Sequence, residues 1–160
     1  MEKFDAHLQL SPHFTLGEMT RTDNRVLLEK NQNEAMAYFV NLQRVCNEIL
    51  EPVRLLLGIP IHITSGFRCH ELNTAIGGSA TSQHCHGEAA DTVYGEYELR
   101  EIYNTIAWSN IPYSQIIFEF DSWVHIGLQD DILHPGRVLQ KLRAFSANGQ
   151  TVYEGVGKPL

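Results

Sequence analysis

Apolar residues recur with helical spacing in the first third of the chain. Ala35, Phe39, Leu42, Cys46, Ile49, Val53 and Leu56 alternate steps of four and three. That puts them on one face of a helix starting near Asn33. Pro52 falls inside this run and predicts a kink or a restart, because proline has no N–H to return to the preceding turn. Upstream, Thr15-Leu-Gly-Glu18 has the spacing of a capping box and predicts a short helix near Met19.

After Gly58 the period changes. Ile61 and Ile63 alternate with His62 and Thr64, the pattern of a half-buried strand. A polar, glycine-rich stretch follows from Ser65 to Gly87. Ala89 to Tyr94 reads as a short strand, and Leu99, Ile102, Tyr103 and Ile106 mark a second amphipathic helix. Gln115 to Phe120 and Trp123 to Leu128 read as adjacent strands joined by a tight turn at Asp121-Ser122. Val138 to Phe145 is a further strand, and Asn148-Gly149 is a turn signal. Helices come first and strands mostly later. The expected class is therefore α+β, with N-terminal helices packed on a small, mainly antiparallel sheet.

Length and composition narrow the reading. The chain has 160 residues, which suits one domain, and no linker or repeat divides it. The expected core spans about residues 10–145, with 146–160 as a peripheral tail. There are 12 Lys and Arg against 19 Asp and Glu, a net charge of −7. Such a chain has no electrostatic reason to hold a phosphate backbone, so nucleic acid is not an expected partner. The longest apolar run, Ala35 to Val40, is too short for membrane insertion. The start, Met-Glu-Lys-Phe-Asp-Ala-His, carries both signs of charge and no apolar core, unlike a signal peptide. The expectation is a product made in the cytoplasm. The three cysteines, Cys46, Cys69 and Cys85, are widely spaced and form no disulfide framework. A monomer is the expected state.

The odd entry is 8 histidines. His7, His13, His62, His70 and His134 carry no pattern and read as structural or solvated residues. The informative segment is Ser82-Gln-His84-Cys-His86-Gly87-Glu-Ala-Ala-Asp91. An imidazole and a carboxylate are both good zinc ligands, and Gly87 permits a sharp turn between them. Trp123-Val-His125-Ile places another histidine on a strand whose flanking Val124 and Ile126 point to the opposite face. Two histidines and one aspartate leave a fourth position open for a water of lowered pKa. Glu119, on the preceding strand, offers a base. Spacing alone leaves the H-x-H pair of His84 and His86 unresolved.

Several ordered motifs go further. Ile63-Thr-Ser65-Gly66-Phe67-Arg68, Leu72-Asn73, Gly77-Gly78, Ser82-x-His84-x-x-Gly87-x-Ala89-x-Asp91 and Trp123-Val-His125 together resemble the zinc D-Ala-D-Ala carboxypeptidase family of metallopeptidases. The nearest likeness is to its small single-domain branch from bacteria and phages. Leu10-Ser-Pro-His-Phe14-Thr-Leu-Gly-Glu18 and Leu50-Glu-Pro52-Val-Arg54 resemble that branch's helical N-terminal part. The likeness runs from about Leu10 to Leu128.

The resemblance implies a Hedgehog/DD-peptidase-like fold and one zinc ion per chain, held by His84, Asp91 and His125. The family glycine and aspartate fall on Gly87 and Asp91 only when His84 is the ligand, which leaves His86 as a neighbour. Glu119 resembles the catalytic acid/base, with Asp121 as its rival; other branches place this acid where Ser122 stands. Arg68 matches the family arginine, whose fixed positive fork suits a substrate carboxylate or a developing oxyanion. Ser82 and Gln115 are implied substrate-binding residues. The implied activity is a zinc peptidase acting on peptidoglycan stem peptides or cross-links, as carboxypeptidase or endopeptidase. A phage or prophage lysis enzyme fits, reaching the wall after lysis or by another export route. The alternatives are a non-catalytic zinc module of the same fold, for instance in a phage particle, and a zinc hydrolase acting on another small substrate.

Overall fold

The capping box forms as its spacing demands. In the computed structural model, which describes residues 3–128 and 138–160, Glu18 N donates to Thr15 Oγ1 at 3.3 Å and Thr15 N donates to Glu18 Oε2 at 2.8 Å. Two otherwise orphaned backbone donors are thereby satisfied, and α1 (Leu16–Met19) buries Leu16 and Met19. His134 lies outside the described residues.

The long helical run begins at Leu28, earlier than Asn33. It comprises α2 (Leu28–Ala35), a 3₁₀ turn (Met36–Tyr38), α3 (Phe39–Arg44), a π-turn (Val45–Leu50) and α4 (Glu51–Leu57). The disturbance expected from Pro52 is this π-turn, which directly precedes it. Glu51 N donates to Cys46 O, five residues back, and the proline occupies the first turn of α4. The extra residue per turn rotates the apolar stripe. Cys46, Ile49, Leu50 and Val53 are buried, but Leu56 is 46% exposed and Leu57 packs against the core in its place. Leu56 therefore leaves the predicted face.

The strands are β1 (His62–Ser65), β2 (Ala89–Val93), β3 (Tyr113–Glu119), β4 (Trp123–Leu128), β5 (Gln140–Ala147) and β6 (Gln150–Gly155). They form one sheet in the order β1-β2-β4-β3-β5-β6. Every pairing is antiparallel except β3 with β5. The class is α+β, as the sequence predicts. The β3–β4 turn sits one residue earlier than expected: Ser122 N donates to Glu119 O, and Phe120 and Asp121 both take positive φ, 52° and 51°. That is the geometry of a type I′ hairpin turn, whose twist matches the strands. Asn148 and Gly149 form the second such turn, with φ of 53° and 78°. Residues 146–160 are more than a tail. They complete β5 and supply β6, the exposed edge strand, so the sheet extends beyond the expected boundary at 145.

The period of two gives the sheet two different faces. Ile63, Ala90, Ile116, Phe118, Val124 and Ile126 face the helices and belong to the main core. Helix α6 (Leu99–Ala107) adds Ile102, Tyr103 and Ile106, with the Tyr103 ring 5.7 Å from that of Phe118. Asp91, His125 and Ile117 are paired in register across β2, β4 and β3, and so share the opposite face. The polar stretch 65–87 holds two elements the pattern did not predict: α5 (His70–Ala75) and a 3₁₀ turn (Gln83–His86). Leu72 of the first and Gln83 and His84 of the second line the cleft on this second face.

Candidate metal centre and its cleft

His84 reaches the open face from the 3₁₀ turn. Gly87 follows it in the left-handed conformation (φ 66°), which turns the chain directly into β2. Asp91 comes from the middle of β2, and His125 lies opposite it on β4. His84 Nε2 stands 3.1 Å from Asp91 Oδ1 and 3.1 Å from His125 Nδ1, and the latter two atoms are 3.0 Å apart. All three side chains are buried.

The donor chemistry fits a cation. His84 Nδ1 lies 2.6 Å from the Gly66 carbonyl, which can only accept, so Nδ1 carries the hydrogen. In the neutral ring Nε2 then presents a lone pair towards Asp91 Oδ1. Burial lowers the His84 pKa, with the Asp91 charge opposing, and so favours that neutral form. Burial also works against ionisation of Asp91. The electrostatic and hydrogen-bonding interactions with His84 and His125 outweigh it, and the carboxyl is held well below the usual range. A small triangle of lone pairs is repulsive unless a proton or a metal sits among them. Ligands about 2.0 Å from a tetrahedral zinc stand about 3.3 Å apart, close to the spacing found here. These three residues can hold one metal ion. His86 is turned elsewhere: its ring packs edge-on against Tyr38, with centroids 6.2 Å apart, and its carbonyl accepts from Asn41 Nδ2.

The site opens into a cleft of about 820 Å³ whose walls include Arg68, Ser82, Gln115, Glu119 and Trp123. Each of these sits where local structure requires. A bulge in β1 after Ile63 turns both Thr64 and Ser65 to the cleft. Ser65 Oγ accepts from Arg68 Nε at 2.7 Å, and a terminal guanidinium nitrogen donates to Asp91 Oδ2. Arg68 is thus engaged with the outer oxygen of a candidate ligand, a contact that spacing gave no hint of. Gln115 Nε2 donates to Gln140 Oε1 at 3.0 Å. Ser82 stands at the N-cap position of the 3₁₀ turn, its side chain making no capping bond there.

Glu119 pairs with Trp123, two residues before His125 on the same face, and so lies diagonal to the histidine. Its Oε2 accepts from the indole N–H of Trp123 at 2.9 Å. Burial raises its pKa from the ordinary value and the Asp91 charge adds to this; His125, Trp123 and Arg68 oppose it. Asp121 does not line the cleft. It stands at the hairpin turn, 3.7 Å from an Arg143 nitrogen, with its side chain 59% exposed. The sequence reading missed the indole partner of Glu119, although Trp123 and His125 share a face by the period of two. It also missed Tyr153, which lines the cleft from β6.

A buried His-Asp-His set at the floor of an open cleft, with a carboxylate and an arginine in its walls, defines a metallohydrolase type of site. The comparison with family models makes this specific. Residues 12–127 match the Peptidase M15 model, so the chain belongs to the M15 family of metallopeptidases. Among curated proteins no relative matches the chain.

Proposed function

We propose that this protein is a zinc peptidase that hydrolyses peptide bonds in the stem peptides or cross-links of peptidoglycan, the class of substrate on which M15 peptidases act. The observation that carries the reading is the position of Glu119. It is a partly buried carboxylate of raised pKa, diagonal to His125, in the cleft that holds the candidate ligands. When bound, zinc supplies Lewis-acid polarisation of the scissile carbonyl and lowers the pKa of water. Glu119 takes a proton from the attacking water and delivers it to the leaving amine. Its raised pKa brings it closer to the working pH, where one group serves both as base and as acid. Arg68 brings fixed positive charge to the edge of the site, where negative charge grows on the substrate oxygen. Ser82 and Gln115 contact the peptide from the walls.

Recognition is local in this reading. The net charge of −7 gives no long-range attraction to an anionic wall, so Arg68 and the metal site must provide it. No helix among the described residues is long and apolar enough to cross a membrane. We place the product in the cytoplasm before release, with access to the wall after lysis or by another export route, as for a phage lysis enzyme.

The test is product analysis. Zinc-loaded protein is incubated with purified peptidoglycan and with synthetic stem pentapeptides, and products are identified by mass spectrometry. Release of free D-alanine marks a carboxypeptidase, and conversion of cross-linked dimers to monomers marks an endopeptidase. No cleavage of any stem peptide or cross-link overturns the reading.

A further inference from the structure

The family match ends at residue 127, yet the cleft does not. Its far wall is the β5–β6 hairpin, which contributes Leu142, Thr151 and Tyr153. The register across this wall is definite. Glu119 pairs with Ala144 in the parallel β3–β5 ladder, and Ala144 pairs with Tyr153 in β5–β6. Residues paired in register point to the same face, so Glu119 and Tyr153 flank a single methyl group. Two inter-strand steps span about 10 Å of backbone. Both residues line the same cleft, one on each side of Ala144.

Tyr153 has the character of a contact residue. It is 56% exposed and lines the cleft, so its ring is open to an incoming ligand. Its ring offers apolar area and its hydroxyl offers a donor. Partial burial and the negative charges of Glu119 and Asp91 keep the phenol protonated, hence able to donate. Its neighbours Val152 and Glu154 point to the other face of the same strand.

We propose that Tyr153 is a substrate-contacting residue: its ring packs on the bound peptide beside Glu119, and its hydroxyl donates a hydrogen bond to a peptide carbonyl or carboxylate oxygen. The hairpin beyond the family-matched segment is then the wall that selects which peptide is accepted. This rests on the peptidase reading above.

The experiment compares wild type, Tyr153→Phe, Tyr153→Ala and Val152→Ala, all zinc-loaded, on a synthetic stem pentapeptide and on a cross-linked dimer. Metal content and melting temperature are measured alongside. Loss of one hydrogen bond raises KM about 3- to 10-fold in Tyr153→Phe, with kcat within about twofold. Loss of the ring raises KM about 10- to 100-fold in Tyr153→Ala. Val152→Ala matches wild type, and all four proteins bind the same zinc. Wild-type turnover with unchanged KM in both Tyr153 variants overturns the assignment and leaves the peptidase reading intact. A wild type that cleaves neither substrate overturns both. A fall in melting temperature or zinc content that accounts for the KM change makes Tyr153 structural and also defeats it.

Discussion

Arg68 and Asp91 divide a carboxylate between two tasks. The inner oxygen of Asp91 faces both histidines, while the outer one accepts from the Arg68 guanidinium. Ser65 fixes the other side of that guanidinium. A carboxylate held in this way offers one oxygen to a metal in a set orientation.

Arg68→Ala therefore reaches further than a lost substrate contact. Zinc affinity falls about 10- to 100-fold, the usual cost of removing a group that orients a ligand. Arg68→Lys restores charge but not the two-sided fork, and recovers only part of the loss. Competition titration with a chromogenic chelator reads this directly. Wild-type zinc affinity in Arg68→Ala would confine the arginine to substrate.

Metal analysis tests the centre itself. Wild type carries about one zinc per chain, and His84→Ala and His125→Ala carry almost none, since two protein ligands do not make a stable site. His86→Ala keeps its zinc, because that ring packs on Tyr38. Stripping wild type with a chelator lowers its melting temperature, and added zinc restores it, as linkage requires for a ligand bound only by the folded state. Zinc retained in His84→Ala but lost in His86→Ala would reverse the register.

Glu119→Gln lowers kcat by about 10² to 10⁴, the range for removal of a general acid–base group, with zinc content unchanged. Asp121→Asn stays within about twofold of wild type, because Asp121 faces solvent at the turn. Steady-state kinetics on one stem peptide decides between them. An inactive Asp121→Asn would move the base to the turn.

Glu119 also gives a pH signature to the metal-free fold. Its folded pKa lies above the unfolded value because burial penalises the charge. The folded state binds that proton more tightly, so the associated stability is present below the unfolded pKa of about 4.3 and is lost as pH rises through the folded value. Metal-free Glu119→Gln should then melt higher than the metal-free parent at pH 7, with the gap narrowing as pH falls towards 4. Calorimetry at several pH values checks this. A gap that widens in acid would reverse the sign of the shift.

Gly66 is a backbone constraint on the metal site. A Cβ there would stand 2.3 Å from the Met19 carbonyl oxygen, which accepts a hydrogen bond from Phe67 N, while the Gly66 carbonyl holds His84. Gly66→Ala must push this segment off α1. It destabilises the protein by about 1–3 kcal/mol, as overpacking does, and weakens zinc binding at the same time. Urea unfolding and zinc titration on one preparation measure both. Normal zinc affinity in a destabilised variant would uncouple His84 from this contact.

The parts legible in the sequence were those written in local patterns. The capping box, the strand alternation around Ile63 and His125, and the spacing of His84 to Asp91 each depend on residues close together in the chain. What was hidden depends on distant pairing or on small irregularities. The π-turn before Pro52 shifted Leu56 off the core, and no periodicity announces one extra residue in a helix. The bulge in β1 that sets Ser65 under Arg68 has the same character. Tyr153 reaches the cleft only because β5 pairs with β3 in parallel, a long-range choice that alternation cannot specify.

That parallel seam has a kinetic meaning. His84, Asp91 and His125 lie on the β1-β2-β4-β3 side of it, while Tyr153 hangs from an edge strand whose six residues are all exposed. An exposed edge strand is the part of a sheet whose backbone amides open first, while the ligand-bearing strands stay protected. Amide exchange would then divide the sheet at the β3–β5 boundary, fast on one side and slow on the other.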